Sequence, residues 1–333
     1  MIRTVLVAAA LVLGLVSQVS AQPGSHLLVI VGLGGDSDNA ERFHRWASAI
    51  VDAARDRYGL PAEDVIYLGE DPARDPKRCS GRSTREAIEQ AAGRLAARAR
   101  PGDRVFIVLI GHGASATGAA RFNLPGPDLT AEEFSKLLDR FAAQPVTFVN
   151  TASASGGFVA ALSGKNRVII TATRTEGERN QTRFGEYFAG GFSSLDADAD
   201  KDGRVSLLEA FLWARGRVAE SYERDGQLLT EHAVLDDNGD GKGSDTPGQP
   251  GSDGSLARTL FLAAASPADT ALDNAADPEL RALAAERRAL EGRIAALQAA
   301  KEKTDAAAYA RDLEQLLLEL ARTNRAIRER QKK

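Results

Sequence analysis

The stretch Arg104-Val-Phe-Ile-Val-Leu-Ile110 runs straight into Gly111-His112-Gly113, and its counterpart Val146-Thr-Phe-Val-Asn150 runs into Thr151-Ala-Ser153-Ala-Ser155-Gly-Gly157. Both are short, continuous runs rich in β-branched and aromatic residues, the pattern of strands buried on both faces. One amphipathic helical stretch lies between them, opened by the capping box Thr130-Ala-Glu-Glu133. The unit is therefore β-α-β, and its two strands are expected to be parallel neighbours with their carboxyl ends on one rim. That rim would carry His112 and a small hydroxyl residue, Ser153, side by side.

A hydrophobic strand ending in His-Gly, followed some forty residues later by one ending in Ala-Cys-x-Ser-Gly, is the pattern of the legumain-type (clan CD) cysteine peptidases and their caspase-like relatives. Val105 to Gly113 and Phe148 to Gly156 resemble those two blocks. The nucleophile's place differs, because Ala152-Ser153-Ala154-Ser155-Gly156 puts an oxygen where the family has sulfur. The resemblance implies His112 as the acid/base residue, the Gly113 amide as an oxyanion donor, and Ser153 in the nucleophile's position. It also implies a mostly parallel sheet flanked by helices, over residues 22–265. The glutamate that helps legumains select asparagine is Thr151 here, which removes the ground for asparaginyl specificity.

Working outward, His26 to Val31, Asp64 to Leu68 and Arg167 to Ala172 read as further strands alternating with helices, as in a parallel α/β sheet. Ala257 to Leu262 reads as a last strand. The turn Gly32-Leu-Gly-Gly35 has neither the dinucleotide spacing nor a P-loop lysine. The helix over 39–58 buries Phe43, Trp46, Ile50 and Val51, leaving His44 as a surface residue. Ser83-Thr-Arg-Glu86 reads as a second capping box, and the small residues after Gly113 read as a flexible loop.

Asp198-Ala-Asp200-Lys-Asp202-Gly203-Arg204-Val-Ser206-Leu-Leu-Glu209 fits the twelve-position EF-hand loop: acids at one, three and five, glycine at six, serine at nine and glutamate at twelve. Calcium is the cofactor this pattern suggests, held by Asp198, Asp200, Asp202, the Arg204 carbonyl, Ser206 and Glu209. Asp236-Asp-Asn238-Gly-Asp240-Gly241 begins alike but has Pro247 at the twelfth position, and reads as a turn, with weak calcium binding as the lesser alternative.

The 333 residues, 43% of them hydrophobic, suffice for one core and an appendage, and a net charge of −4 leaves no electrostatic footprint for nucleic acid. Residues 1–21, with Arg3, a short apolar run and small residues at Val19-Ser20-Ala21, read as a signal peptide, so the protein is expected to be exported, periplasmic or secreted, with no membrane span after cleavage. Cys79, the single cysteine, allows no internal disulfide. After a linker at 266–277, residues 278–333 carry apolar positions at alternating three and four spacing, broken near Lys303-Thr-Asp305, as in a helical hairpin or coiled coil able to self-associate, clasp a partner or fold back.

A serine hydroxyl is inert unless a base takes its proton during attack, whereas the family's histidine serves a thiol that needs little help. Two readings follow. The first is a pseudo-peptidase that keeps the rim as a binding or assembly module for a peptide or protein ligand; the second is a working endopeptidase-type hydrolase in which His112 activates Ser153.

Overall fold

The computed structural model describes residues 24–116, 119–200, 203–249, 252–262, 272, 275–299 and 305–331. The signal peptide read over 1–21, much of the 266–277 linker and Asp202 lie outside them.

The strands are β1 Ser25–Val31, β2 Val65–Gly69, β3 Gly81–Arg82, β4 Arg104–Ile110, β5 Gly113–Ala116, β6 Ala119–Phe122, β7 Leu129–Thr130, β8 Val146–Asn150, β9 Arg167–Thr171 and β10 Val234–Asp236. The helices are α1 Ser37–Asp52, α2 Arg85–Arg98, α3 Ala131–Leu138, α4 Phe158–Leu162, α5 Phe184–Ser193, α6 Leu207–Arg224, α7 Pro278–Ala299 and α8 Ala306–Gln331.

A seven-stranded sheet runs in the order β10-β9-β8-β4-β1-β2-β3 and is parallel except for β10. The two strands that the sequence singles out, β4 and β8, pair in parallel from Val105↔Val146 to Leu109↔Asn150. Side chains alternate across the pleat, so each central strand feeds two cores. One joins Val29, Phe106, Val108 and Ile170 to Phe43 of α1, Phe188 of α5 and Phe211 of α6; the other joins Ile30, Ile107 and Phe148 to Ile88 of α2, Phe134 of α3 and Phe158 of α4. Burial on both faces is why these strands read as unbroken apolar runs.

Three local readings need correction. Ala257 to Leu262 is no sheet strand: Ala257–Thr259 is a 3-10 turn, and Phe261 makes an isolated bridge to Ser206. The edge belongs to β10, whose three residues are too few to show a period. The stretch after Gly113 is not simply a flexible loop, since β5, β6 and β7 form a small antiparallel sheet from glycine and alanine that carry little strand signal. At the start of α2 the cap is Thr84, which accepts from the Ala87 amide, while the fully buried Ser83 donates to the Val31 carbonyl at 2.6 Å.

α7 and α8 lie antiparallel: Arg330 near the end of α8 pairs with Asp277 and Glu279 at the start of α7, and Ala284 packs with Ile327. The hairpin folds back onto the sheet domain through Arg204 Nη2, 3.2 Å from Glu291. Among the described residues, no helix is long and apolar enough to cross a membrane.

Candidate active site

The carboxyl ends of β4 and β8 bring His112 and Ser153 to adjoining tips. Gly113 begins β5, and its position requires glycine because a Cβ would fall 2.3 Å from the Ser153 carbonyl oxygen. The two tips meet through hydrogen bonds: Ser153 Oγ donates to the Gly113 carbonyl at 3.1 Å, and the Gly113 amide lies 3.4 Å from the same Oγ. Ser153 is 5% exposed.

The imidazole of His112 is held by other groups. Its Nε2 lies 3.1 Å from the carbonyl of Gly34 in the β1–α1 turn, and Phe43 of α1 packs edge-on against the ring at 5.1 Å between centroids. A carbonyl can only accept, so Nε2 carries the proton and Nδ1 the lone pair in the neutral ring. Among the described residues, no hydrogen bond joins His112 to Ser153, and no carboxylate backs the ring.

The turn after Ser153 is braced from behind. Ala154 takes the left-handed conformation, φ 55°, and its amide donates to the Glu178 carbonyl at 2.8 Å. Ser155, fully buried, shares a hydrogen bond with the Thr173 hydroxyl at 3.1 Å, and the Gly156 amide donates to that hydroxyl at 2.9 Å. Glu178 in turn holds His232, whose amide and Nδ1 lie 2.9 and 3.1 Å from its carboxylate. Serine 155 is thus a buttress of the turn.

Two open clefts flank the tips. One, of about 700 Å³, lies at the ends of β1 and β2 and is lined by Gly35, His44, Tyr67, Glu70, Arg74 and Arg82. His44, read as a surface residue, is half-buried there and shares a 2.9 Å hydrogen bond with the Tyr67 hydroxyl. Burial lowers the imidazole's pKa, with Asp75 acting in the opposite sense, and burial raises that of the Tyr67 phenol. The other cleft, of about 590 Å³, is lined by Arg42, Trp46, Gln181, Thr182, Arg183 and Tyr222. Arg42 donates to Asn39, which also accepts from Gln181, while its Nε is buried without a partner. Arg45 is exposed and paired with Glu41, so of the two arginines on this helix it is Arg42 that faces a cleft.

Glu231 gave no signal in the sequence because it lies in the irregular segment before β10. It is 3% exposed and receives the amides of Arg183 and Phe184 at 2.7 and 3.1 Å, at the start of α5. Burial pushes its carboxyl up to about 7, the two amides and the nearby Tyr222 and Arg183 opposing that shift. Neighbouring Thr182 donates to the Thr151 carbonyl, so this contact supports the strand end that bears Ser153.

Residues 83–233, somewhat under half of the chain, match the model of the Peptidase C13 family, the legumain family of clan CD. Over this span the chain is similar to the legumain family of peptidases. The C13 segment contains both strand tips, and the mostly parallel sheet with helices on both faces agrees with the caspase/legumain-like fold. No curated protein matches the chain.

Within the C13 segment, the acidic loop places one carboxylate oxygen each of Asp198, Asp200 and Glu209 within 4.8 Å of one another. Gly203 adopts φ +85°, as the sixth position of a calcium loop requires, and its amide donates to Asp198 at 3.0 Å. Ser206 caps α6 in a capping box with Glu209, whose Oε1 also accepts the Ala199 amide at 2.9 Å. Of the donors read from the sequence, Asp198, Asp200, Ser206 and Glu209 therefore lie on one short loop, with Arg204 between them. The side chain of Arg204 stacks over Phe261, leaving its backbone carbonyl as the donor expected at position seven. Asp198, Asp200 and Glu209 are hard oxygen donors by type, and Glu209 is engaged by the amides of Ala199 and Ser206.

Proposed function

We propose that this chain is a non-catalytic relative of the legumain-type peptidases, which uses the rim at the ends of β4 and β8 to bind a peptide or protein ligand. The observation that carries this reading is the direction of the Ser153 hydroxyl. Its proton goes to the Gly113 carbonyl while His112 spends its own N–H on Gly34. A serine nucleophile needs a base in contact with it and a third group behind the base, and among the described residues neither contact is made. A peptide laid across the tips would reach the clefts on either side, with Arg42 offering a guanidinium to it.

Calcium at the 198–209 loop belongs to the same reading, and its place is next to the hairpin: Arg204, within the loop, pairs with Glu291 of α7. The leader expected over 1–21 would carry the protein to an exported compartment.

The test compares the full chain with Ser153→Cys and His112→Ala variants on a mixed peptide library. The parent is expected to cleave nothing above the His112→Ala background, and Ser153→Cys to gain cleavage that a further His112→Ala removes. Parent activity abolished by His112→Ala would establish the working hydrolase instead. Calcium at the first loop is checked by titration calorimetry, where Glu209→Gln must remove one bound ion.

A further inference from the structure

The second acidic loop was read as a turn because Pro247 cannot supply the twelfth ligand. Its first six residues, Asp236-Asp-Asn238-Gly-Asp240-Gly241, nevertheless match a calcium loop, and Gly241 takes φ +76° just as Gly203 takes φ +85°.

What sets this loop apart is a buried oxygen with nothing to bind. Asp236 is 1% exposed; its Oδ1 accepts the Gly239 amide at 3.1 Å, and its Oδ2 is buried without a partner among the described residues. Because Oδ1 already reaches into the loop, the carboxylate as a whole is aimed there. A second carboxylate, Asp253, is 3% exposed against the loop's outer side, where it accepts the amides of Asp237 and Asn238 at 3.0 and 3.2 Å. Among the described residues, no lysine, arginine or histidine pairs with Asp236, Asp237, Asp240 or Asp253. A buried carboxylate oxygen left without a partner costs of order a few kcal/mol, a penalty that a bound cation would remove.

We propose that residues 236–242 bind one divalent cation, calcium by the chemistry of the donors, through Asp236 Oδ2, the side-chain oxygens of Asn238 and Asp240, and the Lys242 carbonyl. Every donor is a hard oxygen, with no nitrogen or sulfur to select zinc, and an irregular, half-exposed loop suits calcium better than octahedral magnesium. Asp253 supplies negative charge beside the ion in place of the acid that Pro247 lacks. The loop rests on the end of α4, with the Gly241 amide donating to Ser163 Oγ at 3.0 Å. Since α4 begins at Phe158, directly after the Ser153 turn, a bound ion would fix the far end of the helix that supports the rim.

This inference uses nothing from the pseudo-peptidase reading, and its test separates the two acidic loops. Calcium alone is titrated into the full chain carrying Glu209→Gln, which silences the first loop. One ion should still bind, and adding Asp236→Asn should weaken that binding at least tenfold. Asp236→Asn should also unfold, in chelator, at a temperature close to its parent's, because Oδ2 has no hydrogen-bond partner to lose, while losing the rise in unfolding temperature that calcium gives the parent. If the buried variant does not fold, Asp240→Asn, at an exposed position, must show the same loss of affinity. Absence of calcium binding in the Glu209→Gln chain, or binding unchanged by both substitutions, would overturn the proposal.

Discussion

Ser153 and Gly113 are joined twice, the serine hydroxyl donating to the glycine carbonyl at 3.1 Å and lying 3.4 Å from the glycine amide. The pair locks the tips of neighbouring strands together and occupies the serine with backbone. The serine that the sequence resemblance puts in the nucleophile's place is bonded here as a clasp.

The first prediction concerns the closeness of that clasp. Gly113→Ala places a methyl 2.3 Å from the Ser153 carbonyl oxygen, where backbone rather than a flexible side chain must yield. A loss of about 1–3 kcal/mol is expected by urea denaturation, the range of overpacked sites. Stability equal to the parent would mean that the tips are not in contact.

Glu231 gives a pH dependence of defined sign. Its folded pKa, about 7, lies above its ordinary 4.5, so its contribution is fully present below pH 4.5 and is lost as pH rises through 7. The total loss across this window amounts to about 3 kcal/mol if the whole shift is realised. Denaturation midpoints measured from pH 4 to 8 should fall for the parent, after other groups are accounted for, and fall less for Glu231→Gln. Parallel curves would show that Glu231 has the same pKa in the folded and unfolded chain.

Burial raises the pKa of the Cys79 thiol, which donates to the Gly81 carbonyl at 3.2 Å. Reactivity follows the exposed thiolate, so iodoacetamide at pH 8 should modify the native chain at least about tenfold more slowly than the chain in urea. Equal rates would place Cys79 at the surface.

At the start of α2, two adjacent hydroxyls do different jobs. Thr84→Ala should cost about 1 kcal/mol through loss of the helix cap, and Ser83→Ala about 1–3 kcal/mol because the buried Val31 carbonyl loses its donor. Thermal denaturation ranks them, and a larger loss at Thr84 would contradict the arrangement described.

The chain's order of elements was legible because buried strands and capped helices write local signals: β4 and β8 as apolar runs, α3 by Thr130 and Glu133, the first acidic loop by its ligand spacing. What the sequence by itself determined was therefore that a histidine and a serine end two parallel strands on one rim. The tertiary structure decided where their protons go, since the partners of His112 and Ser153 are carbonyls of Gly34 and Gly113, and every residue has a carbonyl. It likewise decided that Asp236 is buried with one carboxylate oxygen lacking a hydrogen-bond partner among the described residues, that Glu231 stands beneath α5, and that β10 rather than 257–262 closes the sheet. Burial and backbone partnership are set by segments far apart in the chain, so no spacing of residue types records them.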